Sequence, residues 1–309
     1  MTNTLVKFSN PLITKDGDQR AFVDFNGFKT LWFNTGTLCN IACSNCYIES
    51  SPRNDRLVYL SFADVVEFLN ELENISGKTC EIGFTGGEPF LNPDFLKMLE
   101  ECLRRNLSIM VLTNAMRPLQ NKIKGLLQLK ESFGAEKIVF RVSIDHYDKD
   151  VHEVERGVGT WDPMIKGLTW LRDNKYTINV AGRSLSQESD HECREGYKNL
   201  FEDLGLQVDA HNPSELVIFP EMDVTVDVPE ITTSCWEILS VRPETQMCAS
   251  SRMVVKRKGQ ERPTVVSCTL LPYEEEFELG KTLSEASKKI YLNHQHCSKF
   301  CVLGGASCS

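Results

Sequence analysis

The chain has 309 residues, 41% of them hydrophobic, enough to bury one large core or one core with a smaller appendage. A formal net charge of −9 disfavours a broad nucleic-acid or membrane-surface footprint, because both of those partners are anionic. No apolar run reaches the roughly 20 residues of a spanning helix, and the start lacks the charged-then-apolar order of a secretory signal, so a cytoplasmic protein is expected.

The first twenty-odd residues read as a loose arm or an added hairpin. From about residue 29 to residue 220, short β-type runs alternate with amphipathic stretches, which predicts a parallel sheet with crossover helices. Strands read at 29–34, 80–85, 108–113, 137–144, 176–181 and 215–220. Between them, 61–73 places Val65, Val66, Phe68, Leu69 and Leu72 on one helical face, and 93–105 does the same with Phe95, Leu96, Leu99 and Leu103. Ser61 and Asn92 are the expected helix caps, and further helices read at 125–133, 161–174 and 192–204. The fold class is therefore α/β, a partial (β/α)6 TIM-like barrel, short of the eight units that close one. After Pro220 an extended Val- and Thr-rich stretch, 224–233, leads into a cysteine-rich tail. A domain boundary is expected near residue 225, giving units 1–225 and 226–309.

Twelve cysteines are too many for an ordinary reduced enzyme, and their placement is uneven. Cys39, Cys43 and Cys46 follow the first strand, Cys80, Cys102 and Cys193 are scattered, and Cys235, Cys248, Cys268, Cys297, Cys301 and Cys308 lie in the last 75 residues. This distribution predicts two separate metal sites. Three thiolates on one tight loop can hold three irons of a four-iron cluster and leave the fourth iron open to a small molecule. Zinc is the alternative, but a structural zinc site takes four ligands, and the nearest further cysteine is Cys80. After the second strand come Gly86, Gly87 and Glu88, where glycines let backbone approach a ligand and a carbonyl or carboxylate can accept from an ammonium.

The three-cysteine loop and the Gly86, Gly87, Glu88 turn together resemble the signature of the radical S-adenosylmethionine (SAM) superfamily, and the resemblance extends over most of the chain. It implies that the open iron of a [4Fe–4S] cluster binds SAM through its amino and carboxylate groups. One electron then cleaves a carbon–sulfur bond, and the resulting 5′-deoxyadenosyl radical abstracts hydrogen from a substrate. An electron donor such as a flavodoxin or ferredoxin is implied too. Gly86, Gly87 and Glu88 would hold the amino group of SAM, and the resemblance places Asn114, Ser143, Asp145 and Arg156 against the same ligand. For these strand-end residues, and for His152, Asn179 and Arg183, ordinary loop or capping roles are the alternative.

In the tail, Cys248 and Cys268 bracket a basic, glycine-containing turn at 256–259 that reads as a hairpin. A helix start near 280–284 follows, then Cys297, Cys301 and Cys308. This order resembles the SPASM and twitch extensions, which hold auxiliary four-iron clusters. Six thiols are too few for two fully ligated cubanes. One auxiliary [4Fe–4S] cluster on Cys248, Cys268, Cys297 and Cys301 is expected, with Cys308 and Cys235 as alternates. A zinc site using His294 and His296 is the alternative. Cys80, Cys102 and Cys193 read as buried small hydrophobes.

A radical needs protection from water, so the tail is expected to close the barrel mouth. Two substrate classes remain. One is a small molecule, with the auxiliary cluster serving electron transfer or substrate binding in a radical oxidoreductase. The other is a peptide or protein that is cross-linked or oxidised at a side chain. About 28 residues precede the first strand, too few for a leader-binding domain, which leans the reading to a small molecule. A non-catalytic metal-binding protein is the third reading. The expected partners are thus a small-molecule or peptide substrate and an electron donor, with no nucleic acid and no membrane.

Overall fold

The computed structural model describes residues 6–76, 80–184, 188–220 and 226–305. A short β1 (Phe22–Val23) precedes six strands in chain order: β2 (Thr30–Asn34), β3 (Glu81–Thr85), β4 (Ile109–Thr113), β5 (Ile138–Ser143), β6 (Thr177–Arg183) and β7 (Leu216–Phe219). Every neighbouring pair from β2 to β7 is parallel. Parallel neighbours need long crossovers, and helices supply them: α1 (Phe62–Ser76), α2 (Phe95–Arg104), α3 (Arg117–Gln120), α4 (Ile123–Phe133), α5 (Lys149–Arg156), α6 (Trp161–Asp173) and α7 (Asp190–Asp203). Leu31, Phe33, Phe84, Val111 and Phe140 face these helices in one core with Phe68, Leu69, Phe95 and Leu99. On the opposite face, Gly83 leaves the room that the Trp32 ring fills, since a Cβ there would lie 2.3 Å from it.

The tail contributes α8 (Cys235–Ile238), β8 (Ser251–Val255), β9 (Thr264–Val266), β10 (Glu278–Gly280), α9 (Leu283–Ala286) and β11 (Ile290–Tyr291). The expected hairpin forms, with Val255 opposite Thr264. It does more than stand beside the barrel: β8 pairs parallel to β2, Thr30 opposite Ser251, and the sheet runs β10-β9-β8-β2-β3-β4-β5-β6-β7. Among the described residues no helix is long and apolar enough to cross a membrane.

Three local expectations change. Ser61 caps α1 as read, exchanging hydrogen bonds with Asp64. Asn92, however, sits before Asp94, the residue that enters α2. A turn at Pro89–Leu91 displaces the helix start, and the Asn92 amide instead ties Thr35 O and Leu60 O at 3.1 and 2.9 Å. The segment holding His152 and Arg156 is helical, entered at Asp148, whose carboxylate accepts from Asp150 N and Val151 N. The N-terminal arm is held in place. Arg20 has no exposed surface and ion-pairs Glu230 at 2.6 Å, and β1 pairs antiparallel to β11.

Candidate active site

The three-cysteine loop leaves β2 and is fastened at both ends. Thr35 N bonds Thr85 O at 2.8 Å, and the Thr37 hydroxyl bonds Leu57 O at 3.1 Å. The Gly86–Gly87 turn lies directly against this loop, with Gly87 N on Gly36 O at 2.8 Å and Glu88 N on Leu38 O at 3.1 Å. Here the glycines have a physical reason that differs from close approach to a ligand. A Cβ on Gly87 would stand 2.1 Å from Leu38 O, and one on Gly86, at φ +132°, 2.6 Å from Gly36 O. They make room for the cysteine loop.

One cavity gathers most of the residues singled out in the sequence. Cys39, Cys43, Cys46, Gly86, Gly87, Asn114, Ser143, Asp145 and Arg156 all line it. Glu88 does not. Its carboxylate is fully buried and accepts from the Thr113 hydroxyl at 2.9 Å, Asn114 N at 2.9 Å and Phe90 N at 3.3 Å. Burial pushes it up to about 7 against those hydrogen bonds, which favour the ionised form. Glu88 thereby fixes the end of β4, which in turn presents Asn114 to Cys39, 3.8 Å from Nδ2 to Sγ. His152 and Asn179 also lie outside the cavity wall. His152 is fully buried, its ring edge-on to Trp161, and burial lowers it to about 4, so it is neutral. Asn179 donates to Ser214 O at 3.1 Å.

The electrostatics of the cavity centre on two arginines and one carboxylate. Arg156 and Arg183 reach Asp145 Oδ2 at 3.8 and 3.5 Å, and their Nε atoms are buried without a hydrogen-bond partner. Arg156 also feels all three cysteines. Burial pushes the Cys39 thiol up to about 12, with Glu88 adding to the effect, and burial likewise raises Cys43. Such thiols hold their protons unless a metal takes the sulfur, since coordination deprotonates a thiol outright. Among the described residues, no three Cys, His, Asp or Glu side chains converge on a point where a single metal ion could sit. A four-iron cluster asks for a different arrangement, one thiolate at each of several separated irons.

Several residues that position this site escaped the sequence reading. Glu155, at the end of α5, holds the cysteine loop through Ser44 N at 2.9 Å and Asn45 Nδ2 at 2.5 Å. Tyr273, from the tail, donates to Ile48 O at 2.7 Å and stacks beneath Arg56 at 3.6 Å. Thr269 and Leu270 line the cavity directly after Cys268, so the tail does form part of its wall. Tyr47 and Phe219 line it and pack together with Phe300. In the tail, Cys235, Cys248 and Cys297 pack into one small apolar cluster, while Cys248, Cys268 and Cys301 border the main core. Cys308 lies outside the described residues.

A parallel strand–helix partial barrel, a three-cysteine loop after its first strand and a Gly-Gly-Glu turn after its second define a radical SAM protein. The profile of the Radical SAM superfamily matches residues 33–191, more than half of the chain, and the chain belongs to that superfamily. Its cofactors are those of the family, an iron–sulfur cluster and SAM. Among curated proteins, the chain is 25% identical over 277 residues to the antilisterial bacteriocin subtilosin biosynthesis protein AlbA of Bacillus subtilis (strain 168), covering 82% of this chain and 57% of AlbA. It is 25% identical over 154 residues to the mycofactocin maturase MftC of Mycolicibacterium smegmatis (strain ATCC 700084 / mc(2)155), covering 48% of this chain and 37% of MftC. Among solved structures, Streptococcus suis SuiB bound to its precursor peptide SuiA matches with a TM-score of 0.58 at 13% identity, covering 90% of this chain and 66% of SuiB. That likeness is one of fold. The chain spans less than two thirds of the length of each of these three proteins.

Proposed function

We propose that this radical SAM enzyme modifies a peptide. The observation that carries the reading is the match to AlbA along 82% of the chain, from barrel into tail, a protein of bacteriocin biosynthesis. MftC is named a maturase, and SuiB is bound to a precursor peptide. These relatives favour the peptide reading over the small-molecule one that the short segment before the first strand suggested. The shape of the site supports it too. A groove between the cysteine loop and the tail, lined by Ser44, Glu49, Pro272, Tyr273 and His294, shares Cys46, Tyr47 and Leu270 with the cavity. An extended chain can lie along the groove with one side chain in the cavity.

In this reading Cys39, Cys43 and Cys46 hold the first cluster, and the Gly86–Gly87 backbone, Asn114, Ser143, Asp145 and Arg156 surround SAM. When bound, the cluster and SAM supply a 5′-deoxyadenosyl radical that abstracts hydrogen. The chain's own part is to orient and to exclude water. Arg156 and Arg183 both turn their Nε atoms to Asp145 Oδ2, at 3.8 and 3.5 Å, so that one carboxylate keeps both cations aligned at the cavity wall. Leu270 and Phe219 wall the cavity with apolar surface. The auxiliary [4Fe–4S] cluster is assigned to Cys248, Cys268, Cys297 and Cys301, with Cys235 and Cys308 as alternates. Cys268 directly precedes the cavity-lining Thr269, which would set that cluster near the cavity for electron transfer from, or binding of, a substrate.

The test is anaerobic turnover of the reconstituted protein with SAM and dithionite, challenged separately with precursor-type peptides and with mixtures of small metabolites. Peptide-stimulated release of 5′-deoxyadenosine, together with a peptide product that has lost hydrogen by mass spectrometry, is expected. Stimulation by a small metabolite and by no peptide would overturn the proposal.

A further inference from the structure

Two arginines, Arg20 and Arg252, have no exposed surface at all. Arg20 is neutralised by Glu230 at 2.6 Å. Arg252 is not neutralised by any carboxylate among the described residues. Its Nε donates to Ala286 O at 2.9 Å, Nη1 to Cys248 O and Ser251 O at 2.6 and 2.7 Å, and Nη2 to Lys288 O at 2.8 Å. The guanidinium lies 4.3 Å from the Phe25 ring centroid. Carbonyls satisfy the N–H groups but leave the net charge in place, and a buried charge without a counter-ion costs several kcal/mol. Burial works against the Arg252 charge, while Cys248, whose backbone oxygen Nη1 holds at 2.6 Å, and Cys268 work in its favour. The sulfurs of these two cysteines become anions when they ligate a metal.

We propose that Arg252 is the resident counter-charge of the auxiliary iron–sulfur cluster and raises that cluster's reduction potential. The inference rests on the reading that Cys248 and Cys268 are ligands of that cluster. A cubane with four thiolates is already a net anion, and accepting one electron from a donor such as dithionite makes it more so. A fixed cation nearby stabilises the reduced form more than the oxidised one. Arginine suits the place because, although burial lowers it to about 10, it keeps its proton at neutral pH, and its planar donors reach several carbonyls at once. If Arg252 only clamps the start of β8 to residues 286–288, its charge has no such effect, and that difference is measurable.

The experiment uses the full chain with Cys39, Cys43 and Cys46 replaced by Ala, so that only auxiliary iron remains. Iron is counted, and the midpoint is read by redox titration followed by electron paramagnetic resonance. Arg252→Gln is expected to keep its iron and to shift the reduction equilibrium about tenfold toward the oxidised form, about 59 mV for one electron, while Arg252→Lys stays near the parent. A second pair leaves the arginine itself in place. Phe25→Glu sets a carboxylate beside the guanidinium and is expected to lower the midpoint likewise, whereas Phe25→Gln is not. A parent that binds no iron overturns the auxiliary-cluster reading, and the inference with it. Iron-loaded Arg252→Gln and Phe25→Glu proteins with unchanged midpoints overturn the inference alone.

Discussion

Glu88 offers a sharp test of how the cofactor turn is built. It is fully buried, accepts hydrogen bonds from Thr113, Asn114 and Phe90, and is pushed up by burial to about 7 from an ordinary 4.5. In the unfolded chain this carboxyl ionises near the ordinary value, so between these two values the unfolded state has released a proton that the folded state still holds. Stability contributed by the protonated form is therefore lost as pH rises through that window. With 1.36 kcal/mol per pKa unit, the swing is about 3 kcal/mol. Glu88→Gln cannot ionise and removes the swing. Its amide also turns an NH2 toward at least one of the donors, costing about 1–3 kcal/mol. Denaturant unfolding of the metal-free protein, followed from pH 5 to pH 8 for both forms, checks this. The stability advantage of wild type over Glu88→Gln should shrink as pH rises from 5 to about 7 and level off above it. A difference that stays flat across the range would refute the account of Glu88 as a desolvated carboxyl.

Gly87→Ala drives a Cβ to 2.1 Å from Leu38 O, an overpacking of about 1–3 kcal/mol. Iron analysis should find the first cluster depleted and the auxiliary iron retained. Tyr273→Phe loses the bond to Ile48 O and should lower stability by about 1 kcal/mol in a thermal melt. Tyr273→Ala, which also removes the ring beneath Arg56, should cost more. In the protein lacking Cys39, Cys43 and Cys46, Cys301→Ser should abolish auxiliary iron and Cys235→Ser should spare it. The reverse result would transfer the fourth ligand position to Cys235.

The parts of this molecule that could be read in the sequence are those whose physics is local. Cys39, Cys43 and Cys46 sit within eight residues, so the proposal of a shared metal can be made from their spacing alone. The barrel strands carry short apolar runs, buried throughout in β2 and half-buried in most of β7, and helices such as α2 show one apolar face in Phe95, Met98, Leu99, Cys102 and Leu103. α5 gives no helical signal in the sequence because only His152 of its eight residues is buried, which leaves no apolar period to see. The role of Glu155 depends on a contact made 110 residues away, that of Tyr273 on one 225 away, and the seating of the N-terminal arm on an Arg20–Glu230 pair 210 apart. Composition and periodicity carry no record of such meetings. The Gly-Gly-Glu turn lies between the two cases. Its position was legible, but the reason for its glycines emerges only when Leu38 is seen against Gly87.

The pairing of β8 with β2 bears on how a substrate reaches the cavity. Four residues of β8, Ser251 to Val254, lie in parallel register with Thr30 to Phe33, in the interior of the nine-stranded sheet. Swinging the tail away would break this ladder and expose Trp32 and Met253, both fully buried, so a hinge between barrel and tail is energetically closed. Tyr273 bonded to Ile48 and Arg257 bridged to Leu57 add further ties across the same seam. Under the proposed peptide function, the groove beside Cys46, Tyr47 and Leu270 is the expected way in, along a wall that does not swing. It also makes the spacing between Cys46 and Cys268 a property of the sheet, since one follows β2 and the other follows β9, two strands of a single hydrogen-bonded array.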